Sequence, residues 1–316
     1  MTARMGAARA WAAPVSLLVA ALIVVLVPHL AVGSSRATLT TSSSATGNVA
    51  TAGTCSAGAK SWASSSNGGL LDTAVLATTT RKAWNRFGGA SSISADTWMS
   101  STTWTATTTS GSIPTYGDPG ALYCDADKAL TLPSSAAHAA TASAGQPTFG
   151  MNSTTTNVVL MLWFKTSTSS AASLASVSDG TNNDRELWVD ANGSLRFSGR
   201  SGNTASSWST TATGGRVNDG TWHWAVAVMT PYNASSGGVT LYLDGSLLLS
   251  ETNRANPFRN YGSNVRWSVG DTLASSGGPS GAPVVGAPGS YDEFALVATN
   301  GLTAAQISTL YQSADL

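Results

Sequence analysis

From Gly220 to Tyr311 the chain reads as four strand-like statements in a fixed order: GTWHWAVAVM, VTLYLDGSLLLSE, VRWSVGD and SYDEFALVATNGLTAAQISTLY. Alternation along the first puts Trp222, Trp224, Val226 and Val228 on one sheet face, with His223 and Ala225 on the other. The second carries Asp244-Gly245, the dipeptide of a two-residue hairpin turn. The fourth ends in Thr303-Ala-Ala-Gln306, a capping box that opens a short helix. Ile307, Leu310 and Tyr311 then fall at i, i+3 and i+4, one apolar face to dock on a sheet.

The segments upstream agree. NVVLMLWFKTS (157–167) is a nearly continuous apolar strand, as a central sandwich strand should be. LASVSDGTNNDRELWVDANGSLRFSG supplies three more strands, with Asn192-Gly193 expected as a type I′ turn. PGALYCDADKALTLP reads as a strand with a polar turn, and residues 55–118 as short strands and loops around scattered tryptophans. The chain is expected to be an all-β sandwich.

Composition excludes more than it identifies. Of 316 residues only 10% are charged, against roughly a quarter in a soluble domain. Three Glu occur, Glu186, Glu251 and Glu293, and the formal net charge is zero. Electrostatic capture of nucleic acid or anionic lipid therefore has no support. Ser, Thr, Gly and Asn carry the surface polarity, as in exported β proteins.

At the N-terminus Arg4 and Arg9 precede the apolar run Val15–Val27, which Pro28 and His29 interrupt before the small residues Ala31, Gly33 and Ala37. Residues 1–37 thus read as a signal peptide or as an N-terminal membrane segment. Residues 38–54 form a Ser/Thr-rich linker and residues 55–316 one domain. The expected location is secreted or at the cell surface, with contact to a membrane only if the N-terminal segment stays uncleaved. Cys55 and Cys124 lie beyond that segment. In an oxidising compartment they are expected to form a disulfide, which closes a loop of about 70 residues and contributes roughly 4 kcal/mol in the loop-entropy model. Two buried free thiols are the alternative.

Two resemblances add to this. The residues Ala37, Leu39, Gly47, Asn48, Ala52 and Gly53 resemble the mature start of the camelysin and TasA-like surface proteins of Gram-positive bacteria. The positions Asp219, Gly220, Trp222, His223, Leu241, Tyr242, Asp244, Gly245, Asp292, Glu293, Leu302, Ile307 and Tyr311 are similar to the laminin G-like branch of the concanavalin A-like lectin/glucanase superfamily. That match is strongest over 157–316. It implies a jelly-roll sandwich of two antiparallel sheets with one short C-terminal helix, in a family of carbohydrate binders, adhesion modules and non-catalytic appendages of exported enzymes. The implied partners are an extracellular glycan or a surface protein.

Candidate site residues follow from chemistry. Glycoside hydrolases on this fold carry E-x-D-x-E or E-x-D-x-x-E on one strand, a motif the chain lacks. Asp184-Arg185-Glu186 comes nearest, its two acids expected on one face of a solvated strand end. Asp292 is expected to hold a loop by hydrogen bonds, and His223 to be structural. The turn Asp179-Gly-Thr-Asn182-Asn183-Asp184 offers hard oxygen ligands, so Asp179, Asn182 and Asp184 are the candidate calcium ligands. An Asx-rich turn that satisfies its own backbone is the alternative. Trp163, Trp188, Trp222 and Trp224 are expected in the core. Trp208, in a Ser-rich loop, and Tyr232 are the candidate exposed platforms for sugar rings.

Overall fold

The computed structural model describes residues 80–85, 87, 104–108, 114–122, 128–141, 153–179, 183–202, 207–211, 214–260, 265–270, 279, 281–300, 302–312 and 314. The chain divides into two units, Met1–Gly53 and Thr54–Leu316, and every described residue belongs to the second. The N-terminal segment 1–37, the linker 38–54, Cys55, Cys124 and Asn182 lie outside the described residues.

Among the described residues the strands begin with β1 (Thr80–Asn85), β2 (Trp104–Thr108), β3 (Thr115–Pro119), β4 (Lys128–Leu132) and β5 (Ala137–Thr141). Next come β6 (Val158–Lys165), β7 (Ala172–Ser178), β8 (Asn183–Val189), β9 (Leu195–Arg200) and β10 (Ser207–Ser209). β11 (Trp222–Met229), β12 (Gly237–Leu243), β13 (Ser246–Arg254), β14 (Arg266–Val269), β15 (Gly289–Ala298) and the helix α1 (Ala304–Gln312) complete the chain. The helix is too short to cross a membrane, and no other described helix could do so.

The strands form two antiparallel sheets. An eight-stranded sheet runs β13-β12-β11-β6-β15-β4-β3, with β1 added to β15, and a seven-stranded sheet runs β10-β9-β8-β7-β14-β5-β2. The non-consecutive neighbours β11-β6-β15-β4 and β7-β14-β5-β2 mark the crossovers of a jelly roll, as expected.

Sequence explains why the eight-stranded sheet lies inside. Val158, Leu160, Leu162 and Phe164 of β6 point into the core between the sheets, while Val159, Met161 and Trp163 point the other way. A strand apolar on both faces must bury both. The second face is covered by α1, whose Ile307 and Leu310 are almost fully buried against Trp163, Trp224 and Val226. Trp163, Trp224 and Tyr311 stack with ring centroids 5.8–6.3 Å apart. The helix begins at the expected capping box: the Gln306 N–H donates to Thr303 Oγ1 (3.3 Å), and the Thr303 N–H to Gln306 Oε1 (2.8 Å). Asp292 holds a loop as expected, accepting the Ala121 N–H on Oδ2 (2.8 Å).

The two expected hairpin turns part company. Asp244 (φ 50) and Gly245 (φ 75) are both left-handed, the signature of type I′. At the other turn only Gly193 (φ 86) is left-handed, and Asn192 is not. The Gly193 N–H donates to the Asp190 carbonyl (2.9 Å) and the Asp190 N–H to the Ser194 carbonyl (2.9 Å). The connection is therefore a three-residue loop ending in a glycine bulge rather than type I′. Asp190 is the reason: its Oδ1 accepts the N–H groups of Asn192 (2.9 Å) and Ser194 (3.0 Å), which draws the loop one residue longer.

Leu310→Ala removes a buried side chain from the helix–sheet contact and is expected to cost about 2–5 kcal/mol in urea unfolding. The exposed Thr309→Ala should change stability by no more than about 0.5 kcal/mol.

Candidate functional site on the outer face of the seven-stranded sheet

The seven-stranded sheet buries one face in the inter-sheet core and carries polar groups on the other. Leu187 and Val189 of β8, and Leu195 and Phe197 of β9, point into the core. Alternation then sends Glu186, Trp188 and Asp190, and their cross-strand neighbours Arg196 and Ser198, to the outer face. Ser176 and Ser178 of β7 and Ser268 of β14 extend the row.

These groups are bonded to one another. The Trp188 Nε1–H donates to Ser198 Oγ (2.8 Å), Ser198 and Ser209 share a hydrogen bond of 2.7 Å, and Ser176 and Ser268 share one of 2.8 Å. The Arg196 guanidinium lies 4.9 Å over the Trp188 ring, donates to the Thr210 carbonyl and stands 3.8 Å from Asp190. Trp188 is buried, as expected, at 3% exposed, and its indole lies beneath Arg196 among the polar groups of this face. The floor of this face (Glu186, Ser176, Ser198 and Ser268) is fully buried and the Arg196 side chain at its margin is 24% exposed.

A bulge decides where the acids go. Ser176 pairs with Glu186 and Ser178 with Asn183, so Asp184 and Arg185 together stand opposite the single Val177. Asn183 and Glu186 therefore share the outer face, and the Asn183 amide reaches Glu186 Oε2 at 3.5 Å. Asp184 and Arg185 turn away from it, with the Arg185 guanidinium 4.6 Å over the Phe258 ring of the core. The expectation that Asp184 and Glu186 share a face is corrected by this extra residue.

The same bulge changes the candidate calcium cradle. Asp184 is fully buried and spends its carboxylate on N–H donors: Oδ2 accepts from Arg185 Nη1 (2.7 Å) and the Arg259 N–H (3.2 Å), Oδ1 from the Arg200 N–H (2.7 Å). Burial pushes its pKa up, against the lowering effect of the Arg185 charge and the two backbone bonds. Asp179, half-buried at the end of β7, has Oδ2 3.7 Å from Arg259 Nη2. The structure sets both acids against arginines, and among the described residues no His, Cys, Asp or Glu cluster is arranged to hold a metal.

Trp208 is not in the exposed position expected of it. It is the middle residue of β10 and alternation points it inward, where it is 5% exposed. Gly199, its cross-strand partner, makes the room: a Cβ there would come within 2.7 Å of the indole. Its Nε1–H donates to the Pro257 carbonyl (2.7 Å), and Arg254 covers the ring at 4.7 Å. Tyr232 is half-buried against the edge of the core, in the β11–β12 connection rather than on the polar face.

His223 is structural in its packing, as expected, with its ring 6.0 Å from Phe164. Nδ1 is 2.8 Å from Asp244 Oδ2, and Nε2 is 3.2 Å from Asp219 Oδ1.

Replacing Arg185 by Met leaves Asp184 as an uncompensated buried charge and is expected to cost about 3–5 kcal/mol. The double replacement Asp184→Asn, Arg185→Met should recover part of that loss, and denaturant unfolding of the full cycle measures the coupling.

No curated protein sequence matches the chain. Solved structures do match its fold. Domain 4 of AbnA, an extracellular GH43 arabinanase from Geobacillus stearothermophilus in complex with arabinotriose, is 16% identical (TM-score 0.50), the match covering 74% of this chain and 99% of that one. The binding domain of botulinum neurotoxin DC in complex with SialylT is 10% identical (TM-score 0.51) and that of botulinum neurotoxin serotype D is 9% identical (TM-score 0.51). Each covers 74% of this chain, and the chain spans about half of each, 51%. A laminin G family model, described as the concanavalin A-like lectin/glucanases superfamily, matches residues 138–308, more than half the chain. On that match, with two antiparallel sheets in jelly-roll order to support it, the chain belongs to the concanavalin A-like lectin/glucanase superfamily.

Proposed function

We propose that this protein is an exported, non-catalytic glycan-binding module whose site is the outer face of the seven-stranded sheet. The observation that carries this reading is the partly exposed Arg196 guanidinium, 24% exposed, held over the buried Trp188 indole, which in turn bonds Ser198 on the same face of adjacent strands. A guanidinium offers several N–H donors to sugar hydroxyls, and the buried indole and serines beneath it hold it in place. The likeness in fold to an arabinanase domain in complex with arabinotriose and to a neurotoxin binding domain in complex with SialylT supports the same reading.

Acid spacing supports a binding role over hydrolysis. Glu186 and Asp190 share the outer face of β8 four residues apart, or about 13 Å at roughly 3.3 Å per residue. Glycosidases hold their carboxyl groups about 5–9.5 Å apart. Asp190 is also committed to its turn and to Arg196, and the β8 bulge takes Asp184 away. Calcium has no part in this reading, because the candidate acids face arginines.

A glycan array with the full-length protein tests it. Binding is expected, unchanged by EDTA, and Arg196→Ala should weaken it at least tenfold. Silence across the array, with self-association or association with cell walls instead, contradicts it and favours a structural surface protein acting through protein contacts. Calcium-dependent binding would return Asp179 to the site.

A further inference from the structure

We infer that protonation of His223 controls how firmly the C-terminal helix α1 is seated, acting through the Asp244–Gly245 turn. The imidazole lies between two carboxylates, with Nδ1 2.8 Å from Asp244 Oδ2 and Nε2 3.2 Å from Asp219 Oδ1. Protonated, the ring donates to both. Neutral, it donates from one nitrogen only, and the lone pair of the other then faces a carboxylate. The Thr221 hydroxyl, 3.3 Å from Nε2, offers little relief, since it already bonds Asp219 Oδ1 at 2.7 Å.

Asp244 passes this state to the helix. Its Oδ1 accepts the Trp224 N–H (2.8 Å) while its own N–H donates to the Trp224 carbonyl (2.9 Å), and it holds the left-handed conformation (φ 50) that the type I′ turn requires. The next residue, Gly245, lies directly under Tyr311: a Cβ there would meet the Tyr311 Cβ at 2.7 Å. Tyr311 in turn stacks on Trp163 and Trp224. The turn is therefore the seat of the last turn of α1, and the imidazole is the clamp on the turn.

Among the described residues, the charged groups that face the ring are the two carboxylates. β6 presents the Phe164 ring to it, while Lys165 is drawn over Trp222, 5.2 Å from that ring's centroid. Burial of the imidazole opposes its charge, but the bonds and charges of Asp244, then of Asp219, outweigh burial and hold its pKa above the usual 6.5. A raised folded-state pKa sets the sign. The stabilisation is complete below about 6.5, the unfolded value, and is lost as pH rises through the folded value.

Hydrogen exchange of peptides spanning 302–314, expressed as protection factors, reads the seating of the helix across pH 5.5–9. The expected result is a drop in protection with rising pH whose midpoint coincides with the His223 titration followed by NMR. Asp219→Asn should move both midpoints down together, and His223→Gln should abolish the step and hold the helix at its high-pH protection. Protection that is flat with pH in the unaltered protein overturns the inference, as does a step that survives in His223→Gln or one whose midpoint ignores Asp219→Asn. If His223→Gln does not fold, the paired midpoints in the unaltered and Asp219→Asn proteins still decide.

Discussion

The structure depends on β6 being apolar on both faces. A strand of the sequence VVLMLWFK cannot leave either side in water, so the sheet built around it has to be covered twice. One cover is the seven-stranded sheet, packed through Leu160, Leu162 and Phe164. The other is α1, which seals Val159, Met161 and Trp163 under Ile307, Leu310 and the stacked Tyr311. The two sheets thereby become unequal. Around β6 the eight-stranded sheet is buried on both sides, while the seven-stranded sheet carries polar side chains on its outer face.

Local irregularities then decide which chemistry each face carries. The extra residue in β8 separates Asp184 from Glu186 and turns Asp184 toward Arg185, Arg259 and Phe258, so one acid becomes part of the scaffold while its neighbour stays with Trp188 and Ser198. The glycine of the β8–β9 loop and the left-handed Asp244 of the β12–β13 turn do similar work at the other hairpins. In each case a backbone device of one or two residues, rather than the alternation of the strand, sets the environment of an ionisable group.

What was legible in the sequence follows from this. The strand β6, the Asp244-Gly245 turn, the capping box at Thr303 and the anchoring role of Asp292 are local patterns, and the structure holds all of them. Trp188 is buried as expected and Trp208 is buried against expectation, and the direction of each depends on how neighbouring strands pair. Trp208 turns inward only because Gly199 stands beside it, and the S-W-S alternation was the one signal available. Trp188 sits in an apolar run that conceals its outward direction, which its partners Ser198 and Arg196 reveal once β9 is in register. The surroundings of Asp184 were hidden for a related reason: the N–H donors that engage it come from β8, β9 and the chain after β13.

A crystal structure of the protein with its tightest-binding oligosaccharide tests the central claim most directly, because it locates the ligand on one sheet or the other. The account predicts a sugar seated on the outer face of the seven-stranded sheet, with hydroxyls bonded to Arg196 at its exposed margin. A sugar held at the loop ends of the sandwich or against α1, with the row from Ser268 to Ser209 untouched, would contradict it.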